Sequence, residues 1–579
     1  MQVFDKETLE LLGVTDIGNP SAPGGFRVPS GAETAIVGDA YEGASRTSQS
    51  LMDYQVSMRS ADADLAPAKR LGDLRSRDMG RNDPKVQNGM TIRKDGIVGA
   101  YFMLNAKPNS KRLFGTEDET WEEEFQEEVE EKFAAYAESN DAWIDASRHD
   151  TLTGLTRMAV DQHTLYGEVL ATVEWMRDST RPMKTAIQMI DTDRLSSPPE
   201  KIGDRYTRMG VQMDRYGAPE GYHIRMAHPS DYLKSPENMQ WKYVPVRKPW
   251  NRLQVLHIYE RFRPGQTRGI GTLVAAIPEL KMSRKFREIV LQNAILNATY
   301  AATIESELPA EAVFARLGGD SFSPEAIAEA LQGYIGSHYN TMSKLMGGAN
   351  HLKIDGVKIP HLPPGTKLML NGAGDGGPLG TEFEVSLDRI YASALGASYE
   401  QVSRDYTKTN YSGFKGALSE AWKTMHSVKR AVADRFASSI YRLWLEEALN
   451  NGEITTIKRR MPSWYEGLNA EFYAGCEFIG STRGQIDELK ETQAAVLRIN
   501  NGLSTLEEEN ARLGRDWRRI LRQTKREQQW KDRYGILQLA TDTTNQENSA
   551  NPGSGTKSNT QAIADAVAAA VVSALEDMK

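Results

Sequence analysis

Apolar residues recur at every third or fourth position in several stretches of the chain, which is the spacing of helices that bury one face. In EDETWEEEFQEEVEEKFAAYAES the stripe consists of Trp121, Phe125, Val129 and Phe133, and most of the intervening residues are acidic. The pattern predicts a helix with a buried apolar side and a solvated acidic side. A site for a cation or a basic partner on the acidic side is the alternative interpretation.

A longer stripe at steps of three and four runs from Phe414 to Leu443, within residues 412–450, and contains no proline. It predicts one continuous helix of roughly 58 Å, since each helical residue adds about 1.5 Å. A second long helix is expected to begin at Pro278, because proline suits the first turn of a helix. Roughly 26 residues of this helix would span on the order of 40 Å.

Shorter segments rich in β-branched and aromatic residues predict strands in the first half of the chain. They are VLATVEWM, TAIQMID, RMGVQMDRYG, GYHIRM and LQVLHIYERF, with the turn sequences DTDRLSSPPE and RYGAPEG among them. Residues 68–103 are expected to begin as a basic helix and end in a strand, and residues 476–535 are expected to form three further helices. The predicted fold class is therefore α+β and predominantly helical.

The two ends of the chain differ in composition from the segments between them. Residues 1 to about 60 are rich in Gly, Ser, Ala and Pro, which predicts a poorly ordered arm. Residues 541–560 form a polar linker, and the tail AIADAVAAAVVSALEDMK predicts a short amphipathic helix. Such a helix is marginally stable alone, so we expect it to pack on another surface.

Charge and cysteine content limit the classes of protein that fit the sequence. The 579 residues carry a formal net charge of −8, which argues against an overall electrostatic grip on nucleic acid but leaves local basic patches open. A single cysteine, Cys476, excludes an internal disulfide. The first residues do not resemble a signal peptide, and no stretch has the 18 or so apolar residues of a membrane span. We therefore expect a soluble protein without a membrane partner.

Sequence motifs for cofactor, metal or nucleophilic chemistry are absent. There is no Walker-type phosphate loop, no HExxH zinc motif and no CxxC pair, so we expect no catalytic residues, no metal and no cofactor. Asp191 and Asp193 in IDTDR fit a turn. The alternative is a two-carboxylate metal site of a nuclease, for which the sequence places no third acid within reach.

The segment HIYERFRPGQTRG brings four polar side chains close together, namely His257, Glu260, Arg263 and Arg268. The end of a strand followed by a turn accounts for them. Salt bridges between subunits are the alternative interpretation.

Six blocks of the sequence, in this order, resemble the portal proteins of lambda-type tailed bacteriophages. The blocks are RNDPKVQNGMTIRKDGIVG, VLHIYERFRPGQTRGIG, ATYAATIESEL, LPPGTKL, ALGASYEQVSRDYTKTNYS, and IDELKETQA with GLSTLEEENARLGRDW. The likeness covers roughly residues 65–530. The sequence departs from the family where YSGFKG stands in place of a run similar to Ser-Ser-Ala-Arg.

This resemblance implies a structural ring without enzymatic activity. Such a portal is a dodecamer at one capsid vertex of the virion, and its channel admits DNA during packaging and releases it at infection. The ring is expected to nucleate procapsid assembly in the host cytoplasm. The implied partners are other copies of the chain, double-stranded DNA, the major capsid protein, a scaffold protein, the terminase large subunit and then the head–tail connector.

The resemblance also implies a portal fold with wing, stem, clip and crown regions. The expected regions are an N-terminal arm (1–64), a first wing part (65–275), stem helices (276–303 and 381–396), a clip (304–380), a tunnel loop (397–411), the wing with its long helix (412–475), wing and crown helices (476–540), and the linker with the Ala-rich helix (541–579).

The elbow, residues 396–422 with the sequence GASYEQVSRDYTKTNYSGFKGALSEAW, lies between two predicted helices and contains the expected tunnel loop. Twelve elbows would surround the channel with Tyr, Arg and Lys side chains able to touch passing phosphates. The alternative is that the tyrosines pack between helices and the arginine pairs with Glu400 or Asp405. The expected DNA-channel residues are Arg404, Tyr406, Lys408, Tyr411 and Lys415.

Apolar residues of the first stem helix cover more than one stripe, so this helix needs partners on both flanks. Neighbouring subunits of a ring would supply them. The expected oligomerisation residues are Met282, Phe286, Ile289, Val290 and Leu296, with Ile295 next to them.

Two other functions remain as alternatives to the portal. One is a metal-dependent phage DNA-processing enzyme, in which Asp191 and Asp193 would hold the metal. The other is a scaffold or tail protein that never meets DNA, for which the basic residues of the elbow would have no effect on packaging.

Overall fold

The protein is described by a computed structural model that covers most of the chain. The described residues are 50–51, 53–54, 56–231, 236–299, 304–305, 361–362, 381–407, 409–456, 461–482 and 487–534. The predicted arm up to residue 49, most of the predicted clip, the polar linker and the Ala-rich helix lie outside these residues. The chain divides into two compact units, residues 1–486 and 487–579.

The first unit combines helices with small sheets. Its helices are α1 (Ala61–Asn82), α2 (Pro84–Ile97), α3 (Ser110–Phe114), α4 (Glu119–Ala137), α5 (Leu152–Tyr166), α6 (Ile277–Thr299), α7 (Thr381–Leu395), α8 (Tyr399–Ser403), α9 (Tyr411–Val428), α10 (Arg435–Asn450) and α11 (Asn469–Tyr473). Its strands are β1 (Met103–Ala106), β2 (Glu168–Trp175), β3 (Thr185–Met189), β4 (Thr207–Arg208), β5 (Val211–Met213), β6 (Pro219–Arg225), β7 (Trp241–Pro245), β8 (Val255–Tyr259), β9 (Ile304–Glu305), β10 (His361–Leu362) and β11 (Cys476–Ile479). The predicted class, α+β and predominantly helical, is confirmed.

The main core forms where α4, α5 and α10 meet the sheet β3-β2-β8. All four residues of the apolar stripe predicted for the acidic helix are buried in it. Phe133 lies edge-on against Tyr441 and Trp444 of α10, with ring centroids 5.4 and 5.1 Å away. The acidic helix is therefore a core element whose charged side faces outward, as its periodicity predicts.

The sheets contain pairings that the sequence does not reveal. The expected strands appear as β2, β3, β4 to β6 and β8, and β7 adds an outer strand to the sheet β4-β5-β6-β7. Cys476–Ile479 was expected to open a run of helices but forms β11, which pairs antiparallel with β1. That prediction was wrong because a four-residue strand is specified by its partner, here more than 350 residues away in the chain, and not by its own pattern.

The long helix predicted for residues 412–450 is present but is not α-helical throughout. A π-helical segment, Lys429–Asp434, joins α9 to α10. The Lys429 ammonium donates to Asp434 Oδ1 at 2.6 Å and to the Phe478 carbonyl at 2.8 Å, which ties the segment to β11. The prediction of one uninterrupted helix was wrong at this point, because an apolar stripe at steps of three and four does not exclude a local wide turn.

Helix α1 begins earlier than the basic stretch at residue 68 suggests. Ser60 caps it by accepting a hydrogen bond from the Ala63 amide, and Pro67 lies inside it. Asp62 is buried and accepts hydrogen bonds from the Thr267 amide and hydroxyl at 2.9 and 3.1 Å. Helix α1 therefore starts within the arm expected at 1–64, because a tertiary contact holds its first turn.

The second unit contains the three further helices expected from the sequence, α12 (Glu488–Asn500), α13 (Leu506–Arg512) and α14 (Trp517–Arg533). Thr505 caps α13 and Asp516 caps α14, with Gly514 at a φ of +68° in the break between them. Arg498 donates to both carboxylate oxygens of Glu509 at 2.8 Å, which joins α12 to α13. Within the described ranges, no helix is both long and apolar enough to cross a bilayer.

Glu128 on α4 holds the loop that follows α10. Its carboxylate accepts hydrogen bonds from the Thr455 and Thr456 amides at 2.7 and 2.8 Å, and from the Thr456 hydroxyl. Lys132 lies 2.9 Å away. Burial alone would raise the pKa of Glu128, but the hydrogen bonds from Lys132, Thr456 and Thr455 outweigh it and lower the pKa to about 2.

We expect Glu128→Gln to weaken the first unit by about 2 kcal/mol at neutral pH, the range of hydrogen bonds to a charged group. Because the folded-state pKa lies below the ordinary value, this stabilisation is present above about pH 4.5 and is lost as the pH falls toward 2. Thermal unfolding midpoints should therefore differ between variant and wild type at pH 7 and converge only as the pH approaches 2. A difference that persists unchanged into acid would contradict this account.

Candidate functional site

The elbow is built by local polar contacts rather than by an apolar core of its own. After α7, Ser398 and Gln401 form a reciprocal capping box that starts the short helix α8. Arg404 ends α8 in the left-handed conformation, with a φ of +56°. The side chain of Asp405 accepts hydrogen bonds from the Thr407 amide and hydroxyl. The segment expected as the tunnel loop, residues 397–411, thus contains the five-residue helix α8 with a turn on each side of it.

Arg404 is held against α2. Its Nε and Nη2 atoms donate to Oδ1 of Asn88 at 3.2 and 2.9 Å, and Asn88 in turn donates to the Val402 carbonyl at 2.8 Å. The alternative that Arg404 pairs with Glu400 or Asp405 is wrong, since its described partner is an amide. An amide orients the guanidinium group but does not neutralise its charge.

The two tyrosines of the elbow are exposed. Tyr406 is 51% exposed and lies edge-on to Phe414, with ring centroids 5.4 Å apart. Tyr411 is 54% exposed at the start of α9, and the Lys415 ammonium lies 6.0 Å from its ring centroid. Neither ring is packed between helices, although Tyr406 has one aromatic neighbour. Lys408 lies outside the described residues.

Helix α2 packs against both helices that flank the elbow. A Cβ atom at Gly89 would lie 2.3 Å from Leu395 Cδ1 and 2.5 Å from the Tyr391 hydroxyl, and one at Gly96 would lie 2.2 Å from Met425 Sδ. Glycine at these two positions therefore allows α7 and α9 to approach the backbone of α2 closely. The elbow between α7 and α9 is fixed at both of its ends by the same helix.

Helices α6 and α7, the two expected stem helices, pack side by side. Phe286 lies edge-on to Phe383 with centroids 5.4 Å apart. The Lys85 ammonium lies 2.9 Å from Glu384 and 2.7 Å from Asp388, which ties α7 to α2. One flank of α6 is thus covered within the chain, and Phe286 belongs to that flank.

Helix α6 also carries exposed apolar side chains, called here its apolar flank, which spread over more than half of the helix surface and are not confined to one stripe. Met282 is 50% exposed, Ile289 46% and Val290 36%, and Leu291 at 62% joins them although the sequence analysis did not single it out. The side chains of Ile295 and Leu296 lie outside the described residues. Their number on this one helix makes α6 a candidate contact surface for another subunit.

Asp191 and Asp193 are brought together with a third potential ligand, His228, so that one ligand atom of each lies within 4.8 Å of the others. The approach of His228 to these two carboxylates was not predicted from the sequence. The two carboxylates already have a cationic partner. Arg77 Nη2 lies 2.7 Å from Asp193 and 3.7 Å from Asp191. Burial would raise the pKa of Asp193, but the hydrogen bond and charge of Arg77 lower it on balance. The arrangement is an ion pair that joins α1 to the turn after β3.

The polar segment after β8 contributes to a buried ionic cluster, defined here as Glu168, Arg268, Lys69, Asp73 and His257. Glu168 is fully buried and accepts hydrogen bonds from Arg268 Nε at 2.8 Å and from the Gly269 amide at 3.0 Å. Lys69 and His257 each lie 3.2 Å from its carboxylate. Asp73 pairs with Lys69 at 2.9 Å.

The cluster is internal to one chain, so the interpretation of Arg268 as an intersubunit salt bridge is wrong. Arg263, the other arginine of the segment, makes an exposed ion pair with Asp64 at 2.7 Å. Burial would raise the pKa of Glu168, but Arg268 and Lys69 hold it well below its usual range. Burial raises the pKa of Asp73 to about 7 in spite of Lys69. Glu168 thus compensates the charges of the two buried cations, Arg268 and Lys69.

Comparison with known proteins identifies the family. The sequence profile described as phage portal protein, lambda family, matches residues 47–429, which include α6, α7 and the elbow. The chain therefore belongs to the lambda family of phage portal proteins, and the family expected from the sequence is confirmed.

Two relatives are similar over most of their length. The portal protein of Escherichia phage N15 is 35% identical over 470 residues, covering 81% of this chain and 86% of that protein. Portal protein B of Escherichia phage lambda is 34% identical over 480 residues, covering 82% and 87%.

Solved structures resemble the chain more distantly. A chain from the neck of an empty gene transfer agent (GTA) particle has 13% identity and a TM-score of 0.35, covering 79% of this chain and 95% of its own. A chain from the virion of a native GTA particle has 12% identity and a TM-score of 0.32, with coverage of 79% and 95%.

We expect Glu168→Gln to destabilise the first unit by about 3–5 kcal/mol, because it leaves two buried cations without their anion. The matched control is Asp64→Asn, which removes the same charge from the exposed pair with Arg263 and should cost about 1 kcal/mol or less. Thermal unfolding of the three purified chains measures both effects. Equal midpoints for the two variants would show that the cluster is not a special source of stability.

Proposed function

We propose that this chain assembles into a dodecameric portal ring at one vertex of the phage capsid. Family membership supplies the class of protein, and the observation that carries the assembly is the exposed apolar flank of α6. In a closed ring each subunit presents such a flank to its neighbour, so that residues unpartnered in one chain become buried in the assembly. The expected oligomerisation residues Met282, Ile289, Val290 and Leu296 would act there, whereas Phe286 would act by holding α6 against α7.

The regions of the portal fold are assigned on the same basis. Residues 65–275, 412–475 and 476–540 would form the wing and the crown helices. Helices α6 and α7 would form the stem, and residues 304–380 between them would form the clip that docks the terminase large subunit and later the head–tail connector. The N-terminal arm at 1–64 and the linker with the Ala-rich helix at 541–579 are not assigned to any of these four regions.

The elbow would line the channel through which DNA enters the capsid and later leaves it. Its exposed tyrosines and the unneutralised guanidinium of Arg404 support this proposal, together with Lys408 and Lys415. Few basic residues per subunit suit a conduit, because each phosphate contact adds salt-dependent affinity that would slow sliding DNA. The proposed role is structural rather than enzymatic, in the virion and in procapsid assembly with the major capsid and scaffold proteins in the host cytoplasm.

The metal-dependent enzyme is the less favoured function, because the Arg77 guanidinium already pairs with Asp193 and lies 3.7 Å from Asp191. Magnesium-dependent cleavage of DNA that disappears in Asp191→Ala would reverse this preference. The scaffold or tail protein differs from the portal in having no channel for DNA.

We expect the purified wild-type chain to form rings with an open centre and near twelvefold symmetry in electron microscopy. Ile289→Asp should prevent ring formation and leave folded monomers, since it places a carboxylate in the buried contact. Gln292→Asp adds the same charge on the polar side of α6, next to Glu288, and should assemble normally. Phe286→Asp is less informative, because it also breaks the contact with Phe383.

Sedimentation velocity and circular dichroism distinguish loss of assembly from loss of folding in this series. Rings formed by Ile289→Asp as readily as by the wild type would overturn the assignment of the α6 flank. Monomeric wild-type chain under all conditions would overturn self-assembly without a capsid partner.

We expect Arg404→Gln combined with Lys415→Gln to assemble rings but to reduce DNA packaging several-fold, because the elbow loses its contacts with passing phosphates. Lys423→Gln is the control, since Lys423 is an exposed lysine further along α9. DNA content per particle in a packaging reaction measures the effect. Normal DNA content in the double variant would remove the elbow from the channel and favour the scaffold or tail protein.

A further inference from the structure

Helix α14 carries a concentration of positive charge in a chain whose net charge is −8. Seven of its 17 residues are Arg or Lys and two, Glu527 and Asp532, are acidic. The seven are Arg518, Arg519, Arg522, Lys525, Arg526, Lys531 and Arg533. The helix lies beyond residue 429, where the match to the family profile ends.

These basic residues share one side of the helix. Successive residues of an α-helix are about 100° apart, so all of them except Lys531 fall within a sector of about 120°. Glu527 lies outside this sector and Asp532 at its border. From Arg518 to Arg533 the basic face is about 22 Å long, at about 1.5 Å per residue. The opposite side carries Trp517, Ile520 and Leu521.

The basic face is open to solvent within its unit. No residue of α14 is buried, and its basic residues are exposed except for the half-buried Arg518. Trp530 and Tyr534, next to this face, are exposed and stacked on each other with centroids 5.6 Å apart. The basic face is therefore solvent-exposed along its length, although Arg519 also lies 3.9 Å from Asp516 at the start of the helix.

Such a face works against the stability of the helix itself. Arg518, Arg522 and Arg526 follow one another at intervals of four residues, and like charges at this spacing repel. A partner with closely spaced negative charges would remove the repulsion and gain charge-assisted hydrogen bonds, which the planar guanidinium forms with phosphate in pairs.

Duplex DNA has the charge distribution that this face requires. It carries one negative charge per roughly 1.7 Å of its axis, so a basic face of about 22 Å meets phosphates along its whole length. We propose that the basic face of α14 binds the phosphate backbone of double-stranded DNA without reading its sequence. This site is separate from the elbow, and it rests on the proposed portal function only for the presence of DNA near the ring.

The test uses the full chain and short fluorescent duplexes of two unrelated sequences, titrated at several salt concentrations. Lys525→Gln, Arg526→Gln and Arg533→Gln together should weaken binding of both duplexes at least about tenfold and reduce the slope of log affinity against log salt by about 3. Arg526→Lys with Arg533→Lys keeps the charge and should therefore keep the wild-type salt slope, while its affinity falls by less than that of the Gln variant.

The matched control removes three exposed charges from the first unit, as Arg177→Gln, Arg205→Gln and Lys242→Gln, and should leave DNA binding unchanged. Circular dichroism confirms that α14 is still helical in each variant. Wild-type affinity in the α14 variant, or no DNA binding by the wild-type chain, would overturn the proposal.

Two further outcomes separate this proposal from the channel function. Loss of ring assembly in the α14 variant, with DNA affinity unchanged, would overturn the proposal in favour of contact with an acidic surface of another copy, such as the outer side of α4. Loss of DNA binding only in the Arg404→Gln and Lys415→Gln variant would overturn it while supporting the elbow. Packaging by that elbow variant tests the channel function independently of α14.

Discussion

The attachment of Arg268 and Lys69 to Glu168 is the interaction on which the first unit depends. Glu168 opens β2, Lys69 comes from α1, His257 from β8 and Arg268 from the segment before α6, so one carboxylate joins four parts of the chain. Arg268 also donates to the Leu195 and Met209 carbonyls at 2.9 and 3.0 Å, which fixes the turns after β3 and β4. A charged group removed from water is tolerated only when such partners surround it. The cluster therefore specifies which segments meet, in addition to any stability that it adds.

Close backbone contacts reinforce the same junction. A Cβ atom at Gly269 would lie 2.0 Å from the Gly167 carbonyl oxygen, and one at Gly271 would lie 2.0 Å from that of Leu165. The segment that leads into α6 thus crosses the end of α5 at a distance that only glycine permits. The position of α6, and with it the apolar flank available to a neighbouring subunit, is set by this crossing and by the ionic cluster beside it.

Elements with a strong period of their own could be predicted from the sequence. The stripe from Trp121 to Phe133 and the long helix after the elbow follow from spacing, except for the π-helical segment Lys429–Asp434. What the sequence could not supply were contacts between distant segments: the pairing of β1 with β11, the contact of Arg404 with Asn88, and the approach of Arg77 and His228 to Asp193. The same limit applies to Phe286, whose apolar character is evident but whose partner on α7 is almost 100 residues away. The basic face of α14 is visible in the sequence as a charge pattern. It was not identified from the sequence because the net charge of the whole chain was considered, which is negative.

The single cysteine of the chain has a practical consequence for the chemistry of the elbow. Cys476 lies on β11, and burial raises the pKa of its thiol to about 11. Because thiol reagents react with the thiolate, this raised pKa slows their reaction with Cys476 at neutral pH. The wild-type chain should therefore react slowly with maleimides. A cysteine introduced in place of the exposed Tyr406 or Tyr411 would react faster than Cys476, so its labelling could be measured separately. The rate of that labelling, with and without DNA, would report directly whether the elbow faces a narrow interior or open solvent.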